Sequence, residues 1–223
     1  MSFVGVDVGP LEHSTGRVIS DLSRSYLNSR FRRSLDTSVA VLLLVALIPV
    51  IGLIAVGISI TSPGPILFRQ RRSGIGMKPF MLLKFRTMYW AEARAGTVEQ
   101  AIRGDARVTP LGRLLRATSL DELPQLFNVV HGEMSLIGPR PHAVEHDRFY
   151  MARIPHYVQR FEVRPGLTGL AQISGARGGT PRIQDMQRRV DIDLEYIENA
   201  SLPVDCLIFL QTVREVFESD SAC

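Results

Sequence analysis

Between Thr37 and Phe68 the chain carries no charged residue, and from Val39 to Ile60 it reads VAVLLLVALIPVIGLIAVGISI. A run this apolar on every face has few homes. Roughly 20 apolar residues in a helix match the hydrocarbon core of a bilayer, whereas a surface helix of a soluble protein keeps a polar face. Insertion into a membrane is the expectation. Pro49 lies at the middle of the run, where it removes a backbone donor and crowds the preceding turn. Arg30, Arg32 and Arg33 precede the run, and Arg69, Arg71 and Arg72 follow it. Positive residues stay on the cytoplasmic side, so basic clusters at both ends fit a helix that bends at Pro49 and returns to the face it left. A kinked spanning helix is the alternative, because Pro is tolerated where neighbours satisfy the freed backbone.

The rest of the chain divides around this segment. Residues 1–29 mix Gly, Ser, Asp and Arg without periodicity and read as a flexible tail, with no cleavable signal peptide. Residues 30–62 form the membrane helix and residues 63–223 a cytosolic body. In total, 223 residues at 45% hydrophobic suit one domain plus one membrane element. Thr61-Ser62-Pro63-Gly64-Pro65 breaks the helix. Ile66–Phe68 and Phe80–Leu83 read as short strands joined by the Gly74-Ile75-Gly76 turn, and the polar residues 91–107 as a helix and loop. Pro110 suits a first helical turn, with Leu111, Leu114 and Leu115 on one face. A Gly-rich stretch runs from Pro165 to Thr180. Two helical patterns close the chain: Met186, Val190, Leu194 and Ile197 form one stripe, and Val204, Leu207, Ile208, Val213, Val216 and Phe217 the other. The second stripe suits core packing or, less commonly, a membrane surface.

The net charge of +4 fits anionic partners: nucleotides, phosphates, acidic lipid headgroups or nucleic acid. Aromatic residues make up 7% and are not interleaved with the basic ones, which argues against nucleic acid. The two cysteines, Cys206 and Cys223, point to a reduced body without a disulfide framework.

The chemistry concentrates between Arg113 and Pro141, in RLLRATSLDELPQLFNVVHGEMSLIGPRP. Asp121 and Glu122 are adjacent carboxylates. Ser119 and Glu122 have capping-box spacing, so a plain helix start is one reading. Arg113 and Arg116 before the pair and Arg140 after it support another. Arg140 sits between Pro139 and Pro141, which restrict the backbone that carries it. A stiffly held guanidinium suits bidentate phosphate contacts, although each arginine alone could equally be a surface ion-pair partner. An Asp oxygen can attack phosphorus and form an acyl phosphate. A cation must then screen carboxylate from phosphate, and Mg²⁺ on Asp121 and Glu122 fits that need. Arginines stabilise charge on the transferring group.

Two competing readings use other features. His142-Ala143-Val144-Glu145-His146 matches H-x-x-E-H, a zinc metalloprotease pattern, although Pro141 immediately precedes it. The flanking arginines alone would serve a non-catalytic membrane adaptor that binds lipid headgroups. His131 and His156 have no partner at ligand spacing.

KFRTM (Lys84 to Met88), SLDELPQL (Ser119 to Leu126), GEMSLIGPRP (Gly132 to Pro141) and RPGLTGLAQISG (Arg164 to Gly175) stand in an order that resembles the bacterial sugar transferase family, the small monotopic phosphoglycosyl transferases. SPGPILFRQ (Ser62 to Gln70) resembles that family too, and the likeness covers about residues 30 to 218. The resemblance implies an α+β, mostly helical fold. In it, a re-entrant membrane helix bent at Pro49 precedes a compact catalytic domain with a small β element, lying on the cytoplasmic face of the bacterial inner membrane. It implies transfer of a sugar 1-phosphate from a UDP-sugar to polyprenyl phosphate through a phosphosugar-aspartyl intermediate, with release of UMP, at the start of surface glycoconjugate synthesis. Asp121 would be the nucleophile and Glu122 would help hold Mg²⁺. Arg116 and Arg140 would hold phosphates, and Lys84 and Arg86 lie in a matching motif. Anionic lipids are expected partners and nucleic acid is not. The chain departs from the family at Ile48, where Ser often precedes the bend proline; a Ser hydroxyl can assist bending by bonding to a helical carbonyl.

Overall fold

A computed structural model describes residues 20–90, 104–176 and 178–218. Residues 1–19 of the expected tail, most of the polar segment expected at 91–107, and the side chains of Val216 and Phe217 lie outside that description.

Helix α1 (Asp21–Leu27) already corrects the expected tail. Ser20 caps it, its Ser23 hydroxyl donates to the Glu198 carbonyl at 2.5 Å, and Leu27 is buried in the main core. The apolar run forms two helices, α2 (Arg30–Ala46) and α3 (Ile48–Thr61), bent by 63°. Leu47 is the joint, and Pro49 occupies the first turn of α3. Proline has no N–H to return to the preceding turn, so the α2 ladder ends there. Among the described residues no single helix is long and apolar enough to cross a bilayer; α2 and α3 reach that length only together. Along the upper part of α2 and through α3, Val41, Leu42, Val45, Ile48, Leu53, Val56 and Ile60 are exposed. Ile54 and Ile58 are instead buried against Phe85 and Leu115, which seats α3 on the body.

Strands β1 (Leu67–Ser73) and β2 (Pro79–Phe85) pair antiparallel, with Leu67 opposite Phe85 and Ser73 opposite Pro79. Alternation sorts their residues: Phe80 and Leu82 enter the main core, while Phe85 meets α3. Helix α4 (Pro110–Ala117) starts where Pro110 suggested, capped by the Thr109 hydroxyl. Its three leucines do not share one fate: Leu115 is buried, Leu111 is partly buried, and Leu114 is exposed. A single 3₁₀ turn (Leu120–Glu122) leads to α5 (Gln125–His131). Strand β3 (Ser135–Ile137) pairs in parallel with β4 (Gly166–Thr168). Between these two strands lie α6 (Val144–Met151) and a 3₁₀ segment, Tyr157–Glu162. Helix α7 (Leu170–Ile173) is a single turn inside the Gly-rich stretch. The last two helices are α8 (Ile183–Asn199) and α9 (Leu202–Glu218). The α8 stripe is the centre of the core: Met186, Val190, Leu194 and Ile197 are all at most 4% exposed. On α9 only part of the expected stripe is covered. Ile208 is buried and Val204 partly so, while Leu207 and Val213 are exposed.

The arginines that flank the apolar run serve different ends. Arg32 is buried; it pairs with Asp205 at 3.0 Å and donates to the Ile137 carbonyl at 2.7 Å and the Tyr196 hydroxyl at 2.9 Å. Tyr26 and Tyr196 each donate to Asp205 at 2.7 Å. One ion pair thus ties α1, α2, β3, α8 and α9 together. Arg33 donates to the carbonyls of Val129 and Val130 at the end of α5, where the Val129 carbonyl also accepts from Gly132 N–H. Arg72 points inward to the Pro141 carbonyl. Arg30, Arg69 and Arg71 stay exposed.

Candidate active site

The site is built where β2, α4 and the Gly138–Pro141 loop meet. Gly112 lets α4 lie directly on the backbone at Thr87: a Cβ at Gly112 would fall 2.1 Å from the Thr87 carbonyl oxygen. Thr109 N–H donates to that same oxygen at 3.0 Å. So docked, α4 presents Arg116, whose Nε–H donates to the Thr87 hydroxyl at 2.9 Å. No described residue hydrogen-bonds its two Nη groups, so they remain open to an anion.

The chain then turns sharply. Ser119 is left-handed, with φ of 58°, and its side chain makes no capping bond, so the capping-box reading is corrected. A non-glycine residue held in this region is strained and marks an over-determined position. The following 3₁₀ turn separates the two carboxylates. Glu122 accepts from Lys84 Nζ at 2.7 Å and from both Nη groups of Arg140, one at 3.1 Å and the other shorter still. Burial favours its neutral form, but the charges of Arg140 and Lys84 outweigh this and hold the carboxyl well below the ordinary range. Glu122 is therefore an ionised strut between β2 and the loop. Burial pulls the Lys84 amine down, against the pull of Glu122.

Asp121 is different. It is buried, 8% exposed, and no described residue donates a hydrogen bond or forms a salt bridge to it. Burial raises its proton affinity, with Lys84, Arg140 and Arg116 pulling the other way. The dyad thus holds one neutralised carboxylate and one uncommitted carboxylate among cations. Such a set can present an oxygen nucleophile to phosphorus while guanidinium groups hold the phosphate oxygens.

Of the residues singled out in the sequence, Asp121, Glu122, Lys84, Arg116 and Arg140 gather here. Arg86 does not. It lies one residue beyond β2 and is buried, donating to the Ser62 hydroxyl and to the carbonyls of Ser62, Pro63 and Gly64 at 2.6–3.3 Å. Those carbonyls follow the end of α3, so Arg86 secures the exit of that helix rather than a phosphate. Thr87, inside the KFRTM motif, was legible only as part of the motif; its task of orienting Arg116 needs the fold.

The H-x-x-E-H reading is overturned. Helix α6 begins at Val144, after His142, so the two histidines do not share a helical face. His142 is buried, with Nδ1 2.7 Å from the Tyr157 hydroxyl and 3.0 Å from Arg160 Nη1. Burial and the charge of Arg160 push its pKa well below normal, which makes it a neutral acceptor. Among the described residues, no three His, Cys, Asp or Glu side chains converge as a metal cage.

Comparison with known proteins identifies the family. Residues 27–219 match the family described as bacterial sugar transferase. A protein of Caulobacter vibrioides named UDP-glucose:undecaprenyl-phosphate glucose-1-phosphate transferase is 50% identical over 97% of this chain and 81% of its own length. Proteins of the same name from Xanthomonas campestris and Escherichia coli are 46% and 45% identical, over 84% and 91% of this chain. The chain spans only 39% and 43% of those two longer relatives. An Aeromonas hydrophila relative, 36% identical over 92% of this chain and 48% of its own length, is named for transfer of N-acetylgalactosamine phosphate to undecaprenyl phosphate.

Proposed function

Because the chain belongs to the bacterial sugar transferase family, we propose that it transfers a sugar 1-phosphate from a UDP-sugar to undecaprenyl phosphate. The observation that carries this reading is the division of the dyad: Glu122 is bound by Lys84 and Arg140, and Asp121 is left with an uncommitted carboxylate beside them.

An oxygen of Asp121 attacks the sugar-bearing phosphorus of the donor. A bond forms from that oxygen to phosphorus, the phosphoanhydride bond breaks, and its electron pair leaves with UMP. An oxygen of the polyprenyl phosphate then attacks the same phosphorus and expels the Asp121 carboxylate, which is regenerated ionised. Arg116, through its open Nη groups, and Arg140 bind the phosphate oxygens as charge shifts toward the leaving group. Mg²⁺ fits the donor set, since it takes one or two carboxylates and no described residue competes for the Asp121 carboxylate. Asp121 would hold the ion, whereas both oxygens of Glu122 already accept from Lys84 and Arg140; when bound, the ion supplies screening between carboxylate and diphosphate.

The bent α2–α3 pair enters the cytoplasmic membrane and returns to the face it left. The 63° bend, the exposed apolar side chains of α3, and exposed Arg30, Arg69 and Arg71 near its ends support this placement. The same arginines meet anionic lipid headgroups. The product is a lipid-linked sugar of the kind that starts exopolysaccharide or lipopolysaccharide assembly.

The test uses protein in nanodiscs with Mg²⁺, undecaprenyl phosphate and a panel of UDP-sugars, reading UMP. Turnover with at least one donor is expected, lost in Asp121→Asn and on chelation of the metal. Mass spectrometry of the wild-type protein given donor alone should find the phosphosugar adduct on Asp121. Undiminished UMP release from Asp121→Asn would sink the nucleophile assignment.

A further inference from the structure

The Gly138–Pro141 loop poses a physical problem. Pro139 and Pro141 have no N–H, so the loop can be gripped chiefly through its carbonyls, and buried carbonyls require donors. Two of the grips come from the β3–β4 junction: Gly138 N–H donates to the Thr168 carbonyl at 2.9 Å, and Gly166 N–H donates to the Pro139 carbonyl at 2.9 Å. The next two come from side chains far away in sequence. Arg160 Nη2 donates to the Arg140 carbonyl at 2.7 Å, and Arg72 Nη1 donates to the Pro141 carbonyl at 3.2 Å.

Arg160 is itself held on every side. Its Nε donates to Asp193 at 2.9 Å, with both side chains at most 3% exposed. Its Nη1 reaches neutral His142 Nδ1 at 3.0 Å, and its guanidinium carbon lies 5.1 Å from the centroid of the Tyr157 ring. A guanidinium can meet a carboxylate, an imidazole and a carbonyl at once because its donors lie in a fixed planar fork; an ammonium is a single point. Arg72 is braced likewise by Gln70 Oε1 at 2.6 Å. The backbone of Arg140 is thus pinned from both sides, and its side chain is delivered to Glu122.

We propose that Arg160, anchored by Asp193, and Arg72 are positioning residues that aim Arg140 at Glu122 and at the phosphate by holding its own carbonyl and that of Pro141, while Gly166 holds the Pro139 carbonyl before it. This rests on the reading of Arg140 given above. It predicts that their contribution to turnover passes through Arg140.

The experiment is a double-mutant cycle on UMP release from the donor in nanodiscs. Arg160→Lys keeps a charge beside Asp193 but cannot reproduce the fork. It should lower kcat/KM by about tenfold in the wild-type background, in the range of coupling seen between contacting residues. It should lower it by less than about twofold in an Arg140→Gln background, where nothing remains to be aimed. Arg72→Gln should follow the same pattern, and it decides the matter if Arg160→Lys does not fold. Thermal unfolding of each variant separates aim from stability. Equal losses in both backgrounds would overturn the proposal, because a general structural role multiplies through. If Arg140→Gln alone left kcat/KM unchanged, the phosphate role of Arg140 would fall first, and the positioning role with it.

Discussion

The docking of α4 can be probed with one methyl group. Inside a helix, Ala replaces Gly with a gain of about 1 kcal/mol. At Gly112 the sign should reverse. The added Cβ would lie 2.1 Å from the Thr87 carbonyl oxygen and 2.8 Å from the Thr87 carbonyl carbon and Cα. Comfortable contact starts near roughly 3.5 Å, so α4 must back away by about 1 Å or more. The obstacle is backbone and cannot rotate aside. Two hydrogen bonds are then lost, from Thr109 N–H to Thr87 and from Arg116 to Thr87, at 3.0 and 2.9 Å. The neutral bond contributes about 1 kcal/mol and the charged one about 2. Set against the helix gain, Gly112→Ala should cost about 2 kcal/mol and lower Tm by about 4–8 °C. It should also lower kcat/KM, because Arg116 loses the bond that orients it. Gly52 in α3 has nothing within 4 Å of an added Cβ, so Gly52→Ala is the matched control, expected to leave Tm unchanged or raised. Thermal unfolding in nanodiscs, with UMP release from the same preparations, reads both effects. Gly112→Ala matching the control in Tm and activity would refute the argument.

Amidation of the dyad should act with opposite signs when no metal is present. Burial raises the Asp121 pKa, so the stability it contributes is complete below its unfolded pKa of about 3.9 and lost as pH rises through the folded value. Asp121→Asn should therefore raise Tm at pH 7 in chelator while abolishing turnover. The Glu122 pKa is depressed, so its contribution is present above about pH 4.3 and lost as pH falls through the folded value. Glu122→Gln leaves Lys84 and Arg140 uncompensated and should cost about 3–5 kcal/mol at pH 7; equal signs for the two variants would contradict the division of roles. Arg32→Met strips Asp205 of its buried cation and should cost about 3–5 kcal/mol in denaturant unfolding, whereas a loss below about 1 kcal/mol would show that the tyrosines suffice to hold Asp205. Ile197→Ala, at a fully buried position of α8, should cost about 2–5 kcal/mol by the same measurement.

Features set within a few residues were legible in the chain alone. The bend follows from Pro49, since the missing N–H and the ring act on the preceding turn whatever surrounds it, and Leu47 became the joint. The hairpin follows from two apolar stretches around Gly74-Ile75-Gly76, and the core helix from Met186, Val190, Leu194 and Ile197 at helical spacing. The site was legible as a cluster, because Asp121 and Glu122 are adjacent and Arg140 is framed by prolines.

The chain did not disclose which charge meets which. Six flanking arginines look alike in sequence, yet Arg32 pairs with Asp205, Arg33 caps α5, Arg72 holds Pro141, and only Arg30, Arg69 and Arg71 stay exposed. Arg86 stands two residues from Lys84 but turns to the exit of α3. Asp121 and Glu122 are neighbours with opposite fates, and Arg160 finds Asp193 33 positions away. Apolar periodicity and proline chemistry are local, so sequence alone determined the bend, the hairpin, the core stripe and the presence of a dyad. Long charged side chains bond to whatever the packed chain places at their tips, so only the tertiary structure decided that Glu122 is the strut and Asp121 the uncommitted carboxylate.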